Sequence, residues 1–190
     1  MKRSNNLHGI LAVAAIFVAT AFLLYGCARP TIAPPDYDRV SSKVAKADEH
    51  FSRGEYVSAL ELYLDYLRNS PNSPHVPDIK IKCGEAYERL GRPEEAIKFF
   101  GDVFYGHPYH QKRAEIGLKL ASLQGQMRFY QDSIRTLREL LGQELSRSVK
   151  GEALWLLAKD YEALGEYGAS LKYASQILEI SSEGYPKVKG

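Results

Sequence analysis

Two histidines in His107-Pro108-Tyr109-His110 and one interior cysteine, Cys83, are the side chains of this sequence best equipped for chemistry. Imidazoles at that spacing could begin a metal site, but zinc or copper requires three or four ligands and no third stands nearby. They read as turn residues, and His50 and His75 as surface or packing residues. Cys83 sits between Ile79 and Tyr87 at helical spacing, beside Gly84, so it is expected to face inward, where apolar surroundings keep a thiol protonated and inert. Glu94 and Glu95 open a helix, where acids complement the dipole. There is no nucleophile elbow and no phosphate-cradling glycine loop. These residues predict a protein that is not an enzyme and carries no cofactor and no metal.

The elements that would position any such group follow from a strict interval. Gly54, Gly91, Arg128 and Gly165 stand 37 residues apart, each followed five residues later by a small residue: Ala59, Ala96, Ser133 and Ser170. A second small column reads Ala47, Gly84, Ala121 and Ala158. Small residues at both places let two helices of a hairpin approach closely. Apolar columns accompany them: Leu60, Ile97, Ile134 and Leu171; Tyr66, Val103, Leu140 and Ile177; Leu67, Phe104, Leu141 and Leu178. Burying one such side chain contributes roughly 1.5 to 3 kcal/mol, so their sum can offset chain entropy. The expected helices are 40–53, 56–69, 77–90, 93–106, 112–126, 130–142, 148–164 and 167–180. Glycine just past a helix end accepts the left-handed conformation that closes the helix. Arg128 in that column predicts a strained or slightly reshaped turn, at a cost of about 1 kcal/mol.

The remaining sequence divides into short flanking segments. Residues 1–27 begin with Lys2 and Arg3 and continue with an apolar run, Ile10 to Tyr25, short of the roughly 20 residues a bilayer span needs. The run ends in Leu24-Tyr25-Gly26-Cys27, which resembles a bacterial lipoprotein signal whose cysteine is acylated. The resemblance implies lipidation at Cys27 and a membrane anchor, and Ala28 in place of Asp implies the periplasmic face of the outer membrane. Residues 28–39 contain Pro30, Pro34 and Pro35 and read as a semi-stiff tether; 40–180 hold the repeats and 181–190 a short tail. Lys2 and Arg3 account for the whole basic excess of 25 Lys and Arg over 23 Asp and Glu. A chain otherwise neutral offers no electrostatic case for nucleic acid. With Cys27 assigned to lipid, Cys83 has no disulfide partner.

The small columns, the Leu-Gly turns at 90–91 and 164–165, the aromatics Tyr56, Tyr130 and Tyr167 after the turns, and Pro71 and Pro108 together resemble tetratricopeptide repeats. The resemblance spans about 40–180 and implies an all-α, right-handed solenoid of about four helical hairpins, with a period longer than the usual 34. It is similar to repeats of envelope lipoproteins such as the tetratricopeptide subunit of the Bam outer-membrane machinery. The function so implied is a lipid-anchored periplasmic scaffold for protein–protein interactions in envelope or outer-membrane assembly. The alternatives are the amino-terminal domain of a larger penicillin-binding-protein activator or solute-binding lipoprotein, or a type IV pilus pilotin. In such repeats the first helix of each hairpin lines a concave wall, which places Val44, Ile81, Leu118 and Trp155 in one apolar column. Around it lie Asp48, Phe51, Glu85, Glu88, Lys159 and Glu162. An apolar stripe flanked by acids suits an extended segment or a helix of an envelope partner; the alternative reading is that Val44, Ile81 and Leu118 pack between helices and the acids form a solvated face. Such arrays usually finish with a polar capping helix. Leu171, Ala174, Ile177 and Leu178 are instead expected to lie uncovered and to meet a second copy, a partner subunit or a further domain.

Overall fold

The structure, a computed structural model, describes residues 37–182, with side chains from 42 to 180. Cys27, the apolar run before it, the proline-rich segment up to Asp36 and the tail after Ser182 lie outside the described residues. The repeats occupy the second of the chain's two compact units, Val40–Gly190. Among the described residues every element is a helix: α1 (Tyr37–Ser52), α2 (Tyr56–Asn69), α3 (Val76–Arg89), α4 (Pro93–Gly106), α5 (Arg113–Gln126), α6 (Tyr130–Leu141), α7 (Arg147–Ala163) and α8 (Tyr167–Ser182). Successive helices from α2 onward pack against one another, and α5 also touches α7. That pattern is a stack of hairpins, the α-solenoid that the 37-residue interval predicts.

The hairpin turns form where the interval places them. Gly54, Gly91 and Gly165 have φ of 79°, 70° and 77°, and Arg128 takes the same left-handed conformation at φ 63°. The turn at Arg128 is therefore not reshaped. The arginine accepts the strain, because Phe129 N donates to Gln124 O at 2.8 Å, as Glu55, Arg92 and Glu166 donate to His50, Tyr87 and Tyr161. Helix starts are set locally as well: Pro93 opens α4, Pro77 lies in the first turn of α3, and Ser146 caps α7 by accepting from Val149 N at 3.4 Å. Proline suits the first turn because its missing donor has no acceptor there anyway.

The small columns close the hairpins. Ala47, Ala59, Ala96, Ala121 and Ser133 are fully buried, and Ser133 donates to Ala121 O across the α5–α6 hairpin at 2.9 Å. At Gly84 a Cβ would lie 2.5 Å from the Phe100 ring, and at Gly117 it would lie 2.7 Å from the Phe104 ring. These two glycines are needed for space, whereas Gly54, Gly91 and Gly165 are needed for backbone conformation. Phe100, Phe104, Ile116, Leu120, Leu137, Leu140, Leu154 and Leu157 fill the interior. Cys83 is buried among them, and burial pushes its thiol up to about 12, so it stays protonated.

Candidate protein-interaction site

The inner wall is built by the first helices of successive hairpins, which carry the same polar group twice. Asp48 on α1 accepts from the Tyr63 hydroxyl at 2.5 Å and from Lys82 Nζ on α3 at 2.5 Å. One repeat later, Glu85 on α3 accepts from Lys119 Nζ on α5 at 2.8 Å. The lysines stand over rings that are also one repeat apart, Lys82 at 5.8 Å from Tyr63 and Lys119 at 6.0 Å from Phe100. Acid, ring and lysine thus recur as Asp48, Tyr63, Lys82 and Glu85, Phe100, Lys119. Each set clamps one hairpin to the next. In the third interval the same places hold Ser122, Leu137 and Leu156, with both leucines buried, so the clamp gives way to apolar packing.

Burial acts unequally on these groups. It works against a charged ammonium at Lys119, but the hydrogen bond that Lys119 donates to Glu85, together with the nearby Glu115 and Glu88, outweighs it and holds the lysine above its ordinary pKa. At Tyr63 burial, reinforced by the hydrogen bond to Asp48, raises the phenol pKa and keeps it a donor. Between the clamps lie two hollows that share Phe51 and Glu85. One, of about 300 Å³, is lined by Asp48, Phe51, Tyr63, Lys82 and Glu85. The other, of about 580 Å³, is lined by Phe51, Glu85, Glu88, Arg89 and Lys119. Phe51 is half-buried and meets Tyr56 edge-on at 5.2 Å.

This geometry corrects the expected apolar stripe. Ile81 and Leu118 are 3% and 8% exposed, and Val44 is half-buried against the core, so these three hold helices together and offer little to a ligand. The spacing that puts them in one column is equally the spacing of a helix–helix seam. Trp155, 54% exposed, is the member of that column that faces solvent, with Lys159 Nζ 5.3 Å from its ring. Trp155, Lys159 and Glu162 belong to α7, apart from the residues that line the hollows. The acidic flank is corrected too. Asp48 and Glu85 are paired with lysines, and the hollows carry Lys82, Arg89 and Lys119 beside Asp48, Glu85 and Glu88. The apolar contact is Phe51, and its rim is of mixed charge. The signal for the clamps was present in the columns 48/85 and 82/119, which pair acid with lysine at a constant offset of 34 residues.

On other faces the ion pairs repeat as well. Lys43–Asp65 at 2.8 Å and Lys80–Asp102 at 2.9 Å are one repeat apart, and each ties a first helix to the second helix of its own hairpin. The third position replaces lysine by Gly117, and Arg113, one turn earlier, reaches Glu139 at 2.5 Å and donates through Nε to Phe104 O at 2.9 Å. His110 Nε2 lies 3.3 Å from Asp78. Among the described residues no group of three or more His, Cys, Asp or Glu is placed to hold a metal ion.

Comparison with known proteins agrees with this architecture. The tetratricopeptide repeat family matches residues 44–101 and 118–185, most of the described chain. Solved structures of similar fold include MamA (TM-score 0.63, 20% identity, covering 75% of this chain and 73% of that one). A tetratricopeptide repeat protein from Parabacteroides merdae superposes with TM-score 0.65 at 21% identity, over 76% of this chain and 54% of its own length. BtubC from P. vanneervenii superposes with TM-score 0.62 at 15% identity, over 80% of this chain and 67% of its own. No curated protein sequence matches. Likeness at this identity concerns the fold, and the repeat match, the hairpin stack and the left-handed turns agree that the chain belongs to the tetratricopeptide repeat family.

Proposed function

We propose that this protein is a lipid-anchored scaffold at the periplasmic face of the outer membrane, recruiting another envelope protein through its inner wall. The fold itself is a scaffold suited to protein–protein interaction. The observation that carries the reading of the wall is Phe51, shared by two adjoining hollows and ringed by charges of both signs. An extended segment or helix with one apolar anchor and alternating charges would seat the anchor on Phe51 and satisfy the rim, the pattern of a small buried contact within a polar border. The anchor reading rests on Leu24-Tyr25-Gly26-Cys27 and the proline-bearing segment after it. Acyl chains contribute about 0.8 kcal/mol per buried methylene, so two or more hold a domain at the membrane.

Two variants test the reading. Phe51→Asp together with Glu88→Lys is expected to lose the envelope partner captured by crosslinking in cells while circular dichroism stays unchanged; retention of every partner would overturn the assignment of the wall. Cys27→Ser is expected to move the protein from the membrane to the soluble fraction, and persistence in membranes would count against acylation.

A further inference from the structure

The two ends of the stack differ in kind. In α3, α5 and α7 the face turned to the preceding hairpin is apolar and closed: Ile79, Ile116 and Ala153 in one column, Cys83, Leu120 and Leu157 in the next, all buried. The same columns in α1 read Ser42 and Lys46, continue with Glu49 and Arg53, and are exposed. Glu49 and Arg53 pair with each other at 2.5 Å along that stripe. Helix α1 is therefore a polar cap. At the other end, α8 presents the face that α2, α4 and α6 bury beneath the next hairpin. Leu171 is 72% exposed where Leu60 and Ile134 are 5%, and Leu178 is 71% exposed where Phe104 is fully buried. Tyr167, exposed, and Ala174, half-buried, extend the stripe at spacings of four, three and four residues. That is the repeat of a helix seam made to receive another helix.

We infer that this face binds a second copy of itself, with the two α8 helices antiparallel about a two-fold axis near Ser175 and Gln176. Head-to-tail stacking is disfavoured, because α1 would bring Lys46 and the Glu49–Arg53 pair against leucines and take their charges out of water. Self-pairing of α8 matches apolar to apolar. The charges decide the direction. Lys172 and Glu179 lie two turns apart on one rim of the stripe, so an antiparallel pair sets each lysine beside the glutamate of the other copy, whereas a parallel pair puts the two equivalent rims on opposite sides of the seam and leaves these charges apart. At the crossing Ser175 is small and exposed, which lets the backbones approach. An isologous contact of this sort closes at two copies and does not propagate into a filament. It leaves the inner wall of both copies open and does not depend on what that wall binds.

The test uses the full chain in detergent, with the protein mass measured by light scattering across a concentration series. Wild type is expected to reach the mass of a dimer. Leu171→Glu with Leu178→Glu should remain monomeric with unchanged helicity, both side chains being exposed. Lys172→Glu alone should weaken the dimer at least tenfold, and Lys172→Glu with Glu179→Lys should restore it. In a Cys27→Ser background, Ser175→Cys should give a disulfide-linked dimer on mild oxidation that the background alone, with Cys83 buried, does not give. A monomer at every concentration, as when residues 183–190 cover the stripe within the same chain, would overturn the inference. So would a dimer indifferent to the leucine variants, or failure of the charge swap to restore what Lys172→Glu removes.

Discussion

Asp160 shows how one residue can run against the pattern of its column. It occupies the place of Ala86 and Leu123 on the closed face of a first helix, is 3% exposed, and its Oδ2 has no hydrogen-bond partner. Burial raises its pKa; the neighbouring Ser133 hydroxyl and the charge of Lys159 act in the opposite direction without cancelling it. A carboxyl whose pKa is higher in the folded state than in the unfolded chain binds protons more tightly when folded. Its contribution to stability is then present at pH below the ordinary carboxylate range and is lost as pH rises through the raised value. At neutral pH the ionised group costs stability, on the order of 1 to 2 kcal/mol for an unpaired buried polar atom. Asp160→Asn should therefore be more stable than wild type at pH 7 by about that amount in urea melts, with the difference vanishing in acid. A variant less stable at pH 7 would mean that the carboxylate has a charged partner in the folded protein. Gly84 and Gly117 are the converse case, in which the side chain that is missing makes room for Phe100 and Phe104.

Between elements, the stack is held by apolar seams and by ion pairs of unequal worth. Lys43–Asp65 and Lys80–Asp102 lie at the surface with partly exposed side chains, and surface pairs contribute about 0 to 1 kcal/mol. Asp65, partly exposed, is held below the usual carboxylate range by its hydrogen bond from Lys43. Arg113 differs, because it is buried, lies 4.3 Å from the Phe104 ring, and holds both Phe104 O and Glu139. Its hydrogen bond satisfies a carbonyl at the end of α4, where the last turn of a helix leaves acceptors without intrahelical donors. Arg113→Ala should destabilise by about 2 kcal/mol, from one charge-assisted hydrogen bond and lost stem packing. Lys80→Ala should stay within about 0.5 kcal/mol of wild type in the same denaturation series. Equal losses in the two variants would show that the solvated clamps carry as much as the buried one. This exchange of Lys for Arg one turn earlier was hidden in the sequence, because the Gly117 that forces it is explained only by the position of the Phe104 ring.

Across the whole molecule, stability in a repeat array is close to a sum of hairpins and the seams between them. An inner helix such as α4 is covered on both sides, with Phe100, Val103 and Phe104 fully buried. Helix α8 has one seam, and its other face is exposed at Tyr167, Leu171 and Leu178. Its stacked contact with α7, Tyr161 on Tyr173 at 5.5 Å, is the main aromatic contact that holds it. Native-state hydrogen exchange should then show α8 amides opening at lower free energy than those of α4, with protection of α8 rising as protein concentration is raised. Equal protection in the two helices at every concentration would mean that the last hairpin is not the weak end of the array.

The sequence by itself determined the helices, their turns and their stacking order. An interval of 37 residues imposes the same local choice at each recurrence: small residues where helices touch, glycine or a tolerated arginine where the chain turns left-handed. Helix limits agree with the pattern within three residues at either end because those choices are local. Which residues of a column are reachable was decided only by the tertiary structure. Ile81, Leu118 and Trp155 share one column, yet neighbouring helices close over the first two and leave the third in solvent. Periodicity tells which side of a helix a residue occupies, and exposure depends on what the next hairpin lays across that side. For the same reason the mixed charge around Phe51 emerged only when α1, α3 and α5 stood side by side, since each acid finds its lysine 34 residues away on another helix.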